Sequence, residues 1–521
     1  MSSALFGEAR LAALAHRIRE PLYLVARRPD GLRGLATEAE FAGVGSDCAV
    51  IGTVPALYPE WLGDRSFGEA HGVRFPYVAG EMASGIAGTR LVAAMAQAEM
   101  LAFLGAAGLG LPALERALHD LAAALGGRPN WGVNLIHTPS EPAREEQVAD
   151  LLIRYRVPRI SVSAFAEPTS AVVRCAATGL REDRAGRVVR RTAVFAKVSR
   201  LEVAELFMAP APEQLLRLLL DRRELTPEEV RLAARVPVAT DVTVEADSGG
   251  HTDNRPLLAL LPSFLALRDD ARRTFGYAAP VRVGAAGGLG DPASVAAAFA
   301  LGAGYVLTGS VNQMAVEADT SDEAKALIAG ADLADVAMAP AADMFELGMN
   351  VQVLRRGTLF APRAGRLREI YRRHGCLEEI PEEERTALER DVFQAPLDEI
   401  WTSTQEYWRH RDPAQLDRAA TDPKHRMALV LRWYLSHASR WAVSGQAGRR
   451  ADYQVWCGPA AGAFNRWTAG SFLADPGSRT VVQIARNLLE GAAVVTRAHQ
   501  LRTFGVPLPP HAFVFRPRPL H

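Results

Sequence analysis

The sequence predicts an α/β fold, a (β/α)8 TIM barrel with an N-terminal region that leads into it and a mainly helical C-terminal extension. Eight short, apolar, strand-like segments occur between residues 75 and 308, and most are followed by a helical pattern. Strands that alternate with helices indicate a parallel sheet, and eight of them indicate a closed barrel. A doubly wound open sheet is the alternative, but no GxGxxG motif opens a Rossmann unit near the N-terminus.

Residues 1–74 are predicted to form the region that leads into the barrel. We expect a helix up to about residue 19, followed by strands at residues 22–26 and 49–53. Residues 55–63 are rich in proline and glycine and carry aromatic side chains, which is typical of a turn that packs against the barrel.

The barrel is predicted over residues 75–334. Its strands are expected at residues 75–79, 100–104, 131–135, 159–163, 189–198, 241–246, 281–285 and 305–308. Helices are expected at residues 89–98, 112–125, 141–155, 169–178 and 212–235. Before the last strand, Asp291 and Pro292 are typical of a helix N-cap and of the first helical position.

The last two expected strands end in glycine-rich segments. Gly287 and Gly309 follow them, 22 positions apart, which suits a tight βα repeat. Glycine at the carboxyl end of a strand lets backbone N–H groups approach an anion, and a helix N-terminus adds its dipole. Barrels commonly hold a phosphate after strands seven and eight. The pattern therefore predicts a phosphorylated cofactor at this end of the barrel.

Residues 335–521 have a different character, with charged helical sequence and six of the eight tryptophans. A strongly amphipathic helix is expected at about residues 480–504. We interpret this region as a mainly helical extension packed on the barrel, as a lid or a docking region, with most aromatic side chains serving packing.

The composition is that of an ordinary globular enzyme. Basic and acidic residues number 59 each, so the formal net charge is zero and no global attraction to nucleic acid or to an anionic membrane is expected. The four cysteines are far apart and form no CxxC pair, which favours reduced thiols over disulfides or a zinc site. The first residues lack the apolar core of an export signal, and the longest uncharged apolar run, residues 100–114, is too short to span a bilayer. The sequence predicts a cytoplasmic protein.

Three polar side chains at expected strand ends are candidates for chemistry. His251 follows Gly249 and Gly250, where a ligand can come close, and imidazole can supply a proton or a hydrogen bond near neutral pH. Lys197 ends an apolar strand, where an inward ammonium needs an anionic partner such as a reduced flavin or a phosphate, unless it reaches solvent. Asn134 suits the edge of a heteroaromatic ring.

Other reaction classes have less support. Glu245 and Asp247 could form the carboxylate pair of a glycosidase, but they are too close in sequence, beside a glycine turn, to be strong evidence. The sequence contains no G-x-S-x-G elbow, no GxxxxGK[ST] loop and no HExxH motif, so hydrolase, P-loop and zinc-protease chemistry are not indicated.

Taken in order, several motifs resemble the nitronate monooxygenase/enoyl reductase group of FMN barrels. They are Asn134, Lys197, Ser248-Gly-Gly-His251, Ala285-Ala-Gly-Gly288 and Thr308-Gly-Ser310. Five further segments resemble the PfaD-type branch, the trans-acting enoyl reductases of polyunsaturated fatty acid and polyketide synthases. They are Tyr58-Pro-Glu-Trp-Leu-Gly63, residues 245–256, residues 308–313, Pro340-Ala-Ala-Asp-Met-Phe-Glu346 and Gln454-Val-Trp-Cys-Gly-Pro459. The resemblance covers about residues 20 to 505.

The resemblance implies FMN and NADPH as cofactors and an enoyl thioester on an acyl carrier protein as substrate. His251 would act on the thioester carbonyl, and Lys197 and Asn134 would contact the flavin ring. The remaining cofactor-binding residues implied are Gly80, Met82, Gly249, Gly250, Gly287, Gly288, Gly309 and Ser310. Glu81 departs from the family pattern, where a small residue is expected, so a carboxylate there either turns away from the ring or alters the flavin potential.

Two other functions stay open at this point. A nitronate monooxygenase would use oxygen without a nicotinamide, although it would not require the long extension. A non-catalytic partner would only bind a synthase through that extension, although the intact glycine segments favour an enzyme. Basic stretches at residues 355–356 and 363–373 indicate a docking surface for an acidic carrier protein, with salt-dependent binding. A homodimer is a further expectation.

Overall fold

The computed structural model describes residues 5–28, 30–42, 46–139 and 141–520. Residues 1–4, 29 and 43–45 of the expected N-terminal region lie outside the described residues, as do residues 140 and 521. The strands are β1 (Leu22–Arg27), β2 (Arg33–Ala36), β3 (Cys48–Val54), β4 (Tyr77–Ala79), β5 (Leu101–Leu104), β6 (Gly132–Ile136), β7 (Arg159–Ser163), β8 (Arg181–Glu182), β9 (Val188–Val189), β10 (Ala193–Val198), β11 (Asp241–Glu245), β12 (Gly250–His251), β13 (Arg282–Ala286), β14 (Val306–Thr308), β15 (Val336–Pro340) and β16 (Asn350–Leu354).

The helices cover most of the remaining chain. They are α1 (Glu8–Ala15), α2 (Glu38–Phe41), α3 (Arg65–His71), α4 (Thr89–Gln97), α5 (Leu111–Leu125), α6 (Pro142–Arg154), α7 (Ser170–Ala177), α8 (Leu201–Met208), α9 (Glu213–Asp221), α10 (Pro227–Ala233), α11 (Leu257–Phe275), α12 (Pro292–Ala300), α13 (Asp322–Ala329), α14 (Phe360–Arg373), α15 (Glu382–Leu388), α16 (Leu397–Arg411), α17 (Ala414–Thr421), α18 (Pro423–Ser444), α19 (Ala460–Thr468) and α20 (Val481–Thr503).

Eight parallel strands close into the predicted barrel. Around the ring the order is β4, β5, β6, β7, β10, β11, β13 and β14, which pairs again with β4. Helices cover the outside and side chains fill the inside, so strands such as β5 and β7 are buried along their whole length. The TIM barrel prediction is confirmed. The fifth barrel strand begins later than expected, because residues 181–189 form the separate hairpin β8–β9.

The amino-terminal end of the barrel is closed by aromatic and charged side chains. Phe67, Phe103, Phe195 and Tyr305 form one buried cluster there. Gly284 on β13 leaves room for this layer, since a Cβ at that position would lie 2.3 Å from the Tyr305 ring. The end that faces away from the expected site is therefore solidly packed.

The N-terminal region and the chain's last helix pack together. β1 lies between β2 and β3 in an antiparallel sheet, and its Leu22 shares a core cluster with Leu501 of α20. Earlier in α20, Gly491 lets the helix approach α12, because a Cβ there would lie 2.4 Å from Pro292 Cγ. Helix α20 thus joins the two ends of the chain to the barrel.

The C-terminal extension is mainly helical, as predicted, but it begins with two strands. β15 and β16 form an antiparallel hairpin, and β16 also pairs with the short strand β12. Strand β12 belongs to the barrel sequence and contains His251, so the extension is joined directly to a candidate site residue. The sequence did not predict this small sheet, or helix α11. Among the described residues, no helix is long and apolar enough to cross a membrane.

Candidate active site at the barrel mouth

A cavity of about 1450 Å³ lies at the carboxyl ends of the barrel strands. Its floor is formed by the barrel mouth, and its roof by α16, α18 and residues 456–460 of the extension. Ligand pockets for one small molecule usually measure about 300–1,000 Å³, so this cavity has room for a cofactor and a second ligand.

Two glycine-rich strand ends line one side of this cavity, after the seventh and eighth barrel strands as the sequence predicts. Gly287 and Gly288 have φ angles of 91° and 71°, which favour glycine. The N–H groups of Gly287, Gly288, Gly309 and Ser310 donate no hydrogen bond within the described part of the chain. Unused backbone donors on two neighbouring loops can bind an anion.

The dipole of helix α12 contributes less to this group of backbone donors than the sequence pattern indicates. The N-terminus of α12 is closed by its own cap, where Asp291 accepts a hydrogen bond from the Ser294 N–H group at 2.9 Å. The eighth strand is followed by a short 3₁₀ turn, Asn312–Met314, instead of an α-helix. Backbone amides of the loops are thus the main donors available to an anion.

Of the other glycines predicted for the site, Gly80 and Gly249 allow close packing. A Cβ at Gly80 would lie 2.5 Å from Leu307 Cδ2, and one at Gly249 would lie 2.8 Å from the backbone nitrogen of Cys457. Gly250 has a φ angle of 84° and lines the cavity beside His251. Met82 also lines the cavity, on the loop after the first barrel strand.

Asn134 lies on β6 and is almost completely buried. Its side-chain nitrogen donates to the Ser161 carbonyl and to Ser163 Oγ, both at 3.0 Å. Its carbonyl oxygen accepts no hydrogen bond from the described residues, and the residue lines the cavity. Asn134 can therefore offer an acceptor to a ligand.

Lys197 is mostly buried, and its anionic partners come from the chain itself. Its Nζ lies 3.1 Å from Glu81 Oε1 and 3.3 Å from Glu245 Oε1. Burial alone would lower the pKa of Lys197, but the two carboxylates outweigh burial and raise it above its usual value. We call these three side chains the floor triad. They join the first, fifth and sixth strands of the barrel at the cavity floor.

His251 is held by a carboxylate from the extension. Its Nε2 lies 3.2 Å from Asp343 Oδ1, on the turn between β15 and β16. Burial would lower the pKa of His251, but the hydrogen bond and the charge of Asp343 raise it above its usual value. The imidazolium form is therefore more stable here than in a free histidine, and in that form the ring can donate a hydrogen bond or a proton.

The glycosidase alternative is not supported by the partners of its two carboxylates. Glu245 faces Lys197 and accepts from Ser248 Oγ at 3.1 Å. Asp247 accepts instead from Gln352 Nε2 at 2.7 Å, a residue of β16. Gln352 also donates to the Ser248 carbonyl, so it fixes the loop that precedes His251.

Sequence reasoning missed Asp343 and Gln352 as site residues, and it treated Glu81 only as an exception. Asp343 lies within the Pro340–Glu346 segment that carried the resemblance, so that segment was the available signal. Nothing local in the sequence indicates that Gln352 reaches the barrel mouth.

The roof combines aromatic and basic side chains. Tyr407, Trp408, Trp433 and Trp456 line the cavity together with Arg411 and Arg440. Arg411 pairs with Glu141 at 2.9 Å, and the Gly458 N–H group donates to Ser310 Oγ at 3.0 Å. These contacts join the roof to the barrel at two points, so the roof covers part of the mouth.

The closed ring of eight parallel strands, with a cavity at their carboxyl ends, is that of a TIM barrel protein with a ligand site at its mouth. The structure is similar to the enoyl reductase domain of MlnA from the macrolactin cluster of Bacillus amyloliquefaciens, with a TM-score of 0.81 and 37% identity over 85% of this chain and 99% of that domain. The chain belongs to this family, the PfaD-type enoyl reductases, which confirms the resemblance read from the sequence.

Two curated relatives extend this result. The chain is 44% identical over 449 residues to a component of the polyunsaturated fatty acid synthase of Thraustochytrium sp., covering 85% of this chain and 30% of that protein. It is 38% identical over 488 residues to the polyketide biosynthesis protein PksE of Bacillus subtilis, covering 93% of this chain and 62% of that protein. The chain thus spans less than two thirds of the length of either relative.

Part of the extension has a likeness of its own. Residues 374–453 match the inserted helical domain of acyl-carrier-protein S-malonyltransferase. These residues include α16 and α18, which form the roof of the cavity.

Proposed function

We propose that this protein is an FMN-dependent enoyl reductase that acts in trans, reducing the α,β double bond of enoyl thioesters on an acyl carrier protein with NADPH. Polyketide or polyunsaturated fatty acid biosynthesis is the setting that the names of its relatives support. The observation that carries the proposal is the cavity in which unused backbone amides, the floor triad and His251 meet.

The residues at the mouth fit FMN. The unused N–H groups of Gly287, Gly288, Gly309 and Ser310 would hold its phosphate, and Ser310 is also tied to the roof. Asn134, Met82 and Lys197 would lie against the ring, with the carbonyl oxygen of Asn134 available as an acceptor. When bound, FMN would supply hydride transfer between NADPH and the β-carbon of the enoyl thioester.

His251 would stabilise the developing enolate. As an imidazolium it would donate a hydrogen bond to the thioester carbonyl oxygen and then a proton to the product. Asp343 keeps the charge on the ring and fixes its direction, because the hydrogen bond occupies Nε2 and leaves Nδ1 for the substrate. Where the roof covers the mouth, it would exclude water and strengthen this interaction.

The extension would serve the carrier-bound substrate. We propose a division into residues 1–74, the FMN-binding barrel at 75–334 and a lid or docking region at 335–521. The likeness of residues 374–453 to a domain of an enzyme named for the acyl carrier protein supports such a partner. Part of the basic stretch at 363–373 forms ion pairs within the chain, since Arg363 pairs with Asp452 and Arg373 pairs with Glu384. Arg372 stays exposed and is the better candidate for a carrier contact.

An anaerobic titration tests the function. Purified protein, reconstituted with FMN, is mixed with NADPH while the visible flavin absorbance is followed, and a crotonyl thioester of an acyl carrier protein is then added. We expect bleaching by NADPH and recovery on the thioester. If the flavin absorbance recovers only with oxygen or a nitronate, the result would contradict the reductase and favour a nitronate monooxygenase. If the protein binds no flavin at all, the result would favour a non-catalytic partner of a synthase.

A further inference from the structure

The floor triad contains a carboxylate oxygen that the protein leaves without a partner. Glu81 Oε1 faces Lys197 Nζ at 3.1 Å and accepts from Ser161 Oγ at 3.1 Å. Glu81 Oε2 is buried and has no hydrogen bond to any described residue. The side chain is only 6% exposed. A buried polar atom without a partner is rare in folded proteins, and a functional role is one of the reasons for its presence.

The triad also has an unbalanced charge. One ammonium faces two carboxylates, so its formal charge is −1, and its members are at most 16% exposed. Charges in such a site act over short distances with little screening by solvent. A ligand on this floor therefore meets negative charge where Lys197 alone would present positive charge.

We propose that Glu81, together with Glu245, sets the reduction potential of the flavin bound on this floor. This inference rests on the proposed function. Reduction adds negative charge to the ring, and Lys197 without its partners would favour that charge and raise the potential. The two carboxylates offset the ammonium and lower the potential, which makes the reduced cofactor a stronger hydride donor. Glu81 acts through charge on the cofactor, as a positioning residue that needs no contact with the thioester.

A purely structural role makes a different prediction. If the triad only ties the strands together, removing one carboxylate changes the stability of the fold and leaves the potential of the bound flavin unchanged. The midpoint potential therefore separates the two roles, and activity is not needed for the decision.

The test is spectroelectrochemical titration of the FMN-loaded protein. Glu81→Gln keeps the size of the side chain and removes one formal charge. We expect the ratio of reduced to oxidised flavin at a fixed solution potential to rise at least about tenfold, which is about 30 mV for a two-electron couple. Glu245→Gln should shift the potential in the same direction. Ser161→Ala, which removes a hydrogen bond from Glu81 and keeps every charge, should shift it less.

Glu69→Gln is the matched control, because Glu69 is exposed on α3 at the opposite end of the barrel and its loss removes the same charge. An upward shift in the two triad variants and none in this control supports the proposal. Bound flavin with an unchanged or lowered potential in Glu81→Gln overturns it, and Glu245→Gln decides in the same way if Glu81→Gln does not fold. If the unsubstituted protein binds no flavin, the proposed function itself is overturned. If the flavin binds but its potential does not change in the variants, only the present inference is overturned.

Discussion

The barrel has a buried cluster of charged side chains at each end. The two clusters differ in whether all their buried polar atoms have hydrogen-bond partners. At the amino-terminal end, Asp241 accepts from Arg282 at 2.6 and 2.9 Å and from His71 at 3.1 Å. Arg159 Nε donates to His71 Nδ1 at 2.7 Å, which requires a neutral imidazole. At the mouth, the floor triad leaves Glu81 Oε2 without a partner among the described residues.

The difference separates stability from function in one barrel. Within the described part of the chain, no buried side-chain atom of the amino-terminal cluster lacks a hydrogen bond, so its expected role is to hold strands together. The cluster at the mouth lines a large cavity and has one carboxylate oxygen, Glu81 Oε2, that is open to a ligand under the proposed function. Variants at the amino-terminal end should therefore change the stability of the fold, and variants at the mouth should change activity or FMN binding.

Asp241→Asn should destabilise the fold most, by about 3–5 kcal/mol, because it removes the buried carboxylate that Arg282 and His71 share. Burial alone would raise the pKa of Asp241, but His71 and Arg282 hold it far below its usual value. The stabilisation is thus present above the ordinary carboxyl pKa of 3.8 and is lost as the pH falls below it. Denaturant unfolding at pH 7 measures the loss, and loss of flavin from a variant that is still folded would contradict the separation.

His251→Gln should leave stability nearly unchanged and lower kcat by about a hundredfold or more, since it removes the proposed general acid. The residue is half-buried on a two-residue strand and its partner is exposed by half, so little packing is lost. Steady-state kinetics with the carrier-bound thioester measures this effect, and flavin absorbance serves as the control for an intact site. A variant with full activity would remove His251 from the mechanism.

Asp343→Asn should move the alkaline limb of the pH–rate profile to lower pH, because it removes the carboxylate charge and the charge-assisted hydrogen bond that favour the protonated ring of His251. The sign follows from the raised pKa of His251, which falls when the carboxylate is removed. Activity well below the limb should change little. An unmoved profile would show that Asp343 does not control the proton on His251.

Gly309→Ala should weaken FMN binding about fivefold, a loss of about 1 kcal/mol in binding free energy. The added methyl group would lie among the backbone amides that are expected to bind the phosphate. A Cβ at Gly309 meets no atom within 4 Å, so the fold itself has room for it. Gly365→Ala on α14 is the matched control, because its Cβ also meets nothing within 4 Å. Fluorescence titration with FMN measures the difference, and equal affinities in the two variants would place the phosphate elsewhere.

Much of the barrel could be predicted because its signals are local. Each strand is a short apolar run buried on both faces, and Gly287 and Gly309 follow strands seven and eight as expected. Helix boundaries with strong caps were also predictable, as at Asp291, whose side chain binds the Ser294 N–H group. The hairpin β15–β16 was missed, because two five-residue strands give little periodicity in a region dominated by helical sequence.

By itself, the sequence determined the barrel, its family, and the identity of the residues at the strand ends, since periodicity and glycine placement act over a few neighbouring residues. Only the tertiary structure decided which of these residues meet. His251 and Asp343 are 92 positions apart, and Lys197 meets Glu81 only because the first and fifth strands share one closed ring. Such pairs depend on barrel closure and on the docking of the extension, and no local pattern encodes the distance between two charged side chains that are far apart in the chain.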